Sequence, residues 1–209
     1  MQQNLLFQSP SKLESLSLAD ASVSYMPNFL KPDDANELYQ KFCAELAWRQ
    51  DSIKMYGKSV KIPRLQAWYG DPEAAYRYSG LEMIPIPWTL ELLSLKKRIE
   101  QLTGAAFNSV LANWYRDGQD SMGWHSDDEP ELGVQPTIAS VTLGQVRDFD
   151  FKHKHTGQKY RIALENGSLL LMAQETQKNW QHGVVKRTRP LNGRINLTFR
   201  QILTSHKYL

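Results

Sequence analysis

Arg194-Ile195-Asn196-Leu197-Thr198-Phe199-Arg200 alternates polar and apolar side chains without a break. In an extended chain successive side chains point to opposite faces, so Arg194, Asn196, Thr198 and Arg200 share one face and Ile195, Leu197 and Phe199 the other. The apolar face must pack on a core. The polar face then carries two guanidiniums and two hydrogen-bonding groups, aimed inward if the sheet closes into a barrel. Two buried arginines with no acid near them in sequence need an anion. A small dicarboxylate would satisfy both, one fork to each carboxylate. An exposed strand with four outward polar side chains would read the same in isolation.

Outward from this stretch, a period of two extends back to Ser109. It predicts strands at 109–115, 137–143, 147–152, 160–164, 168–173, 183–186 and 194–200, several separated by Gly or Asn. Short strands with such gaps are the signature of a sandwich or barrel. Upstream the period changes. Leu38, Phe42 and Leu46 recur every four residues and predict a helix over 34–48, with Asp34 and Glu37 resembling a capping box. Residues 50–80 are basic, aromatic and broken by Gly57, Pro63, Gly70, Pro72 and Gly80, which fits short strands and loops. A proline-studded lead-in at 84–87 precedes a second helix striped by Leu92, Leu95, Ile99 and Leu102, with Gly104 as its stop. Residues 1–20 show no clean period and read as a flexible tail. The expected fold is mostly β with flanking helices.

With 209 residues, 41% hydrophobic and 22% charged, the chain fits one ordinary globular domain rather than a disordered polymer. No apolar run approaches the roughly 18 residues of a membrane span. The N-terminus lacks a basic start followed by an apolar stretch, so no secretory leader is expected. Cys43 is the single cysteine, which excludes an intramolecular disulfide and a cysteine-rich zinc site and suits a reducing compartment. The net charge is only +3, but no acid follows Glu175, while Lys178, Lys186, Arg187, Arg189, Arg194, Arg200 and Lys207 do. Lys58, Lys61 and Arg64 form a second acid-free cluster. Clustered positive charge suits an anionic partner such as nucleic acid, and equally a solvated basic face.

His125-Ser126-Asp127 places an imidazole and a carboxylate two residues apart, hence on one face of an extended segment, where both can reach one metal ion. His153, His155, His182 and His206 are the candidate third ligands. His182 is the best placed, between the buried-strand pattern of Leu169 to Met172 and the strand expected from Gly183. Two histidines and one carboxylate on a rigid β framework form the facial triad of non-haem Fe(II) oxygenases. The polar face of 194–200 is expected beside His182 in the same small sheet. Asn113 and Tyr115 also share a strand face and could add hydrogen bonds to the same ligand.

These pieces together resemble the AlkB family of Fe(II)- and 2-oxoglutarate-dependent dioxygenases. The matching stretches are Asn113-Trp114-Tyr115, His125-Ser126-Asp127-Asp128-Glu129, His182 and Arg194-x-Asn196-x-Thr198-x-Arg200, with the twelve-residue step from His182 to Arg194. Upstream, Pro63-Arg64, Gln66-Ala67, Tyr69-Gly70-Asp71, Tyr78-Ser79-Gly80 and Pro87-Trp88 extend the resemblance to roughly 52–203. It looks most like the branch acting on double-stranded DNA. The resemblance implies a double-stranded β-helix (jelly-roll) core over 105–205, joined in one compact domain to a nucleotide-recognition region over 21–104.

By the same resemblance, His125, Asp127 and His182 hold Fe(II). Asn113, Tyr115, Arg194, Thr198 and Arg200 hold 2-oxoglutarate, with Asn196 in support, and O2 is the oxidant. The implied reaction oxidises an N-methyl group on bases such as N1-methyladenine and N3-methylcytosine, releasing formaldehyde. Both lesions are cationic, so Asp128 and Glu129 beside the metal would favour them; a solvated acidic turn is the other reading. The target base must leave the duplex. Tyr76, Arg77 and Tyr78 match the base pocket, and Tyr56-Gly57-Lys58 the finger that fills the gap. Arg187 and Arg189 match a loop that grips the DNA backbone, a role that Lys152-His153-Lys154-His155 could share. The loop after it, Thr156-Gly157-Gln158-Lys159, looks shorter than in animal members of the branch. The partner expected is alkylated DNA in duplex form, with RNA or single strands as the alternative, no membrane, and a monomeric protein. The expected location is cytoplasmic and nucleoid-associated in a bacterium, nuclear in a eukaryote. The rivals from other classes are a DNA-binding protein with a structural iron and a jelly-roll metalloenzyme acting on a small acid.

Overall fold

The computed structural model describes residues 12–55, 57–74, 76–78, 81–189 and 191–203. The N-terminal part contains β1 (Glu14–Ser15), β2 (Ser22–Met26), α1 (Pro32–Glu45), β3 (Ser52–Met55), β4 (Lys58–Lys61), β5 (Leu65–Gly70), β6 (Tyr76–Tyr78), β7 (Leu81–Met83) and α2 (Leu90–Thr103). The rest contains β8 (Ser109–Tyr115), β9 (Met122–His125), β10 (Ile138–Gly144), β11 (Arg147–His153), β12 (Lys159–Leu164) and β13 (Leu169–Ala173). A short α3 (Thr176–Asn179), β14 (Trp180–Val184) and β15 (Arg194–Arg200) complete it.

β8 to β15 are shared four and four between two antiparallel sheets. The larger sheet runs β1-β2-β13-β10-β15-β8-β5 and the smaller β12-β11-β14-β9. This is the double-stranded β-helix, with β1, β2 and β5 extending the edges of the larger sheet. β3 with β4 and β6 with β7 form separate hairpins.

The seven residues of β15 are all buried, with Ile195, Leu197 and Phe199 fully so. Their apolar face packs outward with Phe42 of α1 and Leu92, Leu95 and Ile99 of α2 in one core. A second core of Ile138, Phe149, Phe151, Leu170, Met172, Trp180 and Val184 fills the space between the sheets. The helices therefore cover the outer face of the large sheet, and the polar face of β15 is left facing the interior. It meets the smaller sheet across that space. His182 lies in the smaller sheet and not, as expected, in the sheet of β15.

α1 begins at Pro32, ahead of the expected start, and the Asp34–Glu37 box does not cap it. Its N-cap is Lys31, which makes no side-chain cap bond. Pro32 suits the first turn, where its missing N–H costs nothing, and Asp33 and Asp34 meet the positive end of the helix dipole. α2 is capped as the sequence suggests: Thr89 accepts a hydrogen bond from the Leu92 N–H, and Gly104 closes the helix at φ 71°. Residues 12–20 differ from the tail reading. β1 pairs Glu14 with Tyr25 and Ser15 with Ser24, and Leu18 is buried.

Candidate active site

β14 and β9 pair antiparallel with His182 opposite His125, and the register shifts between His182 and Val184. Cross-strand neighbours lie close enough to share a ligand, and the ring centroids are 4.4 Å apart. β14 starts at Trp180, so His182 sits within the strand and not ahead of one starting at Gly183 as predicted. β9 was not predicted as a strand. Asp127 follows two residues after His125. Its backbone N–H donates to Gln177 Oε1 on α3 at 3.0 Å, and Ser126 Oγ donates to the Trp180 carbonyl at 2.9 Å. The candidate ligand atoms of His125, Asp127 and His182 all lie within 4.8 Å of one another, the one such group found among the described residues.

The rings are oriented by their neighbours. His125 Nδ1 lies 2.9 Å from the Gly123 carbonyl, which can only accept, so Nδ1 carries the proton and Nε2 keeps its lone pair for a metal. His182 stacks on Phe149 at 5.2 Å and 23°, and its Nε2 is 3.6 Å from Asp127 Oδ2. Burial, above all, pushes the His182 imidazole down to about 3, so it is neutral and ready to ligate. Asp127 is held below the usual carboxylate range: burial opposes its charge, but the Arg200 guanidinium beside it outweighs burial.

The polar face of β15 forms a connected chain. Arg194 Nη2 donates to Thr142 Oγ1 and to Asn196 Oδ1, both at 2.9 Å. Ser140 Oγ donates to the same Asn196 oxygen, and Asn196 Nδ2 donates to Thr198 Oγ1, both at 2.8 Å. Arg200 Nη2 donates to Asp127 Oδ1. Asn113 Oδ1 accepts from Arg64 Nε at 2.8 Å. Tyr115 is buried beneath Arg194, whose Cζ is 5.3 Å from the ring centroid. Asn113, Asn196, Thr198 and Arg200 line one recess with His125, Asp127 and His182.

Iron and 2-oxoglutarate fit these residues. The triad offers two imidazoles and a carboxylate at coordinating separation. Arg194 is 1% exposed, and its Nε and Nη1 have no hydrogen-bond partner. Burial pushes its guanidinium down to about 10. Donors buried in that state need an acceptor that carries charge.

The other expected residues are placed less uniformly. Glu129 has a buried Oε2 with no hydrogen-bond partner, and burial raises its pKa. Asp128 is exposed and 3.1 Å from Lys154 Nζ. Gly57 and Lys58 are exposed at the turn between β3 and β4. Tyr56 and the side chains of Tyr76, Arg77 and Tyr78 lie outside the described residues. Arg189 is exposed, whereas Arg187 pairs with Asp148 at 2.6 Å and its N–H donates to the Gly118 carbonyl. His153 is buried and accepts the N–H groups of His155 and Thr156 at 3.2 Å, so it braces the turn and offers nothing to a nucleic-acid backbone. Arg64, read in the sequence only as part of a basic cluster and of the upstream resemblance, donates to Asn113 and so braces the site, as do Arg147, Phe149 and Gln177, which were not singled out from the sequence. Arg147 alone carries a readable signal, as a charge on the strand face shared with Phe149 and Phe151.

A jelly roll holding a His-x-Asp…His group beside a buried arginine face defines the class of non-haem iron oxygenases. The model of the 2OG-Fe(II) oxygenase superfamily matches residues 22–200. The chain is 40% identical over 200 residues to the rat protein called alpha-ketoglutarate-dependent dioxygenase alkB homolog 3, covering 90% of this chain and 67% of that one. It is 43% identical over 163 residues to the mouse DNA oxidative demethylase ALKBH2, covering 74% and 68%. The chain thus spans about two thirds of the length of these relatives. A solved structure described as "The structure of OsALKBH1" shares the fold, with a TM-score of 0.65 at 18% identity, covering 90% of this chain and 99% of that one. The chain belongs to the AlkB family within the 2OG-Fe(II) oxygenase superfamily, and it is an Fe(II)- and 2-oxoglutarate-dependent dioxygenase.

Proposed function

We propose that this dioxygenase removes methyl groups from alkylated nucleic-acid bases, with N1-methyladenine and N3-methylcytosine in duplex DNA as substrates. The observation that carries the reading is the one recess lined by the triad together with Asn196, Thr198 and Arg200 of β15, with buried Arg194 joined to it through Asn196. His125, Asp127 and His182 hold the iron; Arg194, Tyr115, Asn113, Thr198 and Arg200 receive 2-oxoglutarate, with Asn196 linking Arg194 to Thr198. Iron, 2-oxoglutarate and O2 supply the oxidation of the methyl C–H bond, 2-oxoglutarate leaving as succinate and CO2 and the methyl carbon as formaldehyde. The protein orients the partners and keeps water away.

The demethylase named among the relatives supports the substrate class. Charge supports it too. Glu129 keeps a buried oxygen without a partner, and a cationic lesion would favour its ionised form. Exposed Lys58, Lys61, Lys186 and Arg189 offer phosphate contacts. They sit on linked elements. The Ser121 N–H donates to the Pro63 carbonyl, and the Arg187 N–H to that of Gly118, which ties the segment after β4 to the β8–β9 and β14–β15 loops.

One observation favours single strands or RNA instead. β11 and β12 are joined by a tight turn in which the Gly157 N–H donates to the His153 carbonyl, leaving little to reach an opposite strand. Both readings meet in one assay. Purified protein with Fe(II), ascorbate, 2-oxoglutarate and O2 is given an N1-methyladenine oligonucleotide, single- or double-stranded, with His182→Ala as the blank. Metal-dependent loss of the methyl mass from the duplex is expected. Loss from the single strand alone would move the substrate to unpaired DNA or RNA. No loss from either, with succinate still forming, would overturn the substrate class.

A further inference from the structure

Two buried guanidiniums lie close to the Tyr115 ring. Arg194 Cζ is 5.3 Å from the ring centroid and Arg147 Cζ is 5.9 Å from it. Arg147 is 3% exposed and opens β11 in the smaller sheet, whereas Arg194 opens β15 in the larger. Its hydrogen bonds all go to backbone. Nη1 donates to the Asp117 carbonyl at 2.9 Å, and Nη2 to those of Asp120 and Val185 at 3.1 and 3.0 Å. The Asp120 carboxylate is already taken by Arg116, at 2.7 and 3.0 Å. Among the described residues, then, neither Arg147 nor Arg194 forms an ion pair with a carboxylate.

Two like charges buried around one ring repel each other, and the ring's negative face offsets this only in part. An anionic group arriving at Arg194 relieves that repulsion. The same three carbonyl contacts tie the β8–β9 loop, which follows Tyr115, and the strand end at Val185 to β11. We infer that Arg147 is a positioning residue for the far carboxylate of the co-substrate: it holds the Tyr115 ring against Arg194 and adds a second buried positive charge there. The inference rests on the proposed binding of 2-oxoglutarate at this site: Arg200 pairs with Asp127 at the metal end, which leaves Arg194, six residues away on the same strand, for the far carboxylate.

The test is direct binding, free of turnover. The full chain loaded with Mn(II) is titrated calorimetrically with 2-oxoglutarate and with 2-oxopentanoate. The second ligand keeps the keto-acid end and replaces the far carboxylate by a methyl. Arg147→Met is expected to raise the Kd for 2-oxoglutarate about tenfold and to leave that for 2-oxopentanoate within about twofold. Arg147→Lys keeps the charge without the fork, and a loss of about threefold for 2-oxoglutarate alone is expected. It carries the test if the Met variant does not fold. An unchanged 2-oxoglutarate Kd in the folded variants, or equal losses for both ligands, overturns the role. Arg194→Met separates the two levels. Loss there without loss in the Arg147 variants rejects Arg147 alone, whereas no loss in either rejects the carboxylate site itself.

Discussion

The triad is made by what burial does to charge. His182 unfolded would titrate near its ordinary value of 6.5, but in the fold it titrates at about 3. The unfolded chain therefore binds more protons than the folded one between those values. Stability of the metal-free protein should fall as pH drops below about 6.5, by up to ~1.4 kcal/mol per pH unit for this one group, and be insensitive to it above. Asp127, held low, adds a further loss once pH passes down through the carboxylate range. Thermal melts of metal-free protein from about pH 7.5 to 4.5 check this; the slope should shrink in His182→Gln, and equal slopes would reject the assignment. Asp127→Asn keeps the shape but removes the charge that faces Arg200 and both imidazoles. Its expected effect is loss of iron binding by two orders of magnitude or more, read by metal titration. These residues were legible because their chemistry needs fixed types at fixed spacings, His-x-Asp and the four-residue polar face. Gln177 and Phe149 were not: they act through position, as a carbonyl under Asp127 and a ring under His182, and many residue types leave the same trace in a sequence.

Spacing between elements sets how far apart the two imidazoles lie. Gly183 follows His182 in β14, and a Cβ there would sit 3.1 Å from the Met122 carbonyl oxygen and 3.2 Å from that of Gly123. Both oxygens belong to β9, which carries His125, so an added methyl must push the strands apart by a few tenths of an ångström. Gly183→Ala should weaken metal affinity about tenfold, as loss of a supporting contact does. Affinity equal to the parent would show that β9 yields without moving His125. The same elements mark the limit of the sequence reading. β15 alternates polar and apolar residues over its seven positions, and both it and β8 were read with their true ends. β9 is four residues, Met-Gly-Trp-His, with no buried-exposed alternation, so a period of two has nothing to register. β14 was read late because Trp180, Gln181 and His182 mix polar and apolar groups that are half or wholly buried between two neighbours. β1 and β2 were missed because pairing along an edge needs backbone bonds rather than pattern.

Across the whole molecule, charge decides how a polyanion meets the site. Arg187 and Arg189 are two residues apart on one basic loop and look equivalent in the sequence, but the fold separates them. Arg187 is half-buried, pairs with Asp148, and anchors the β14–β15 loop to Gly118, where an added Cβ would lie 2.7 Å from its carbonyl oxygen. Arg189 is exposed and has the freedom to reach a phosphate. Each phosphate contact contributes about 0.9 to the slope of log K against log salt for a duplex, and about 0.7 for a single strand. Arg189→Ala should therefore lower that slope by about one contact on either substrate while leaving the melting temperature unchanged. Arg187→Ala should instead cost about 1 kcal/mol of stability, because the partly exposed Asp148 carboxylate loses its partner, with little change in slope. Binding of a methylated oligonucleotide at several salt concentrations, set beside thermal melts, reads both quantities. If the Arg187 variant lowers the slope as much as the Arg189 variant, the ion pair with Asp148 opens when nucleic acid binds, and the loop is a phosphate clamp along its whole length.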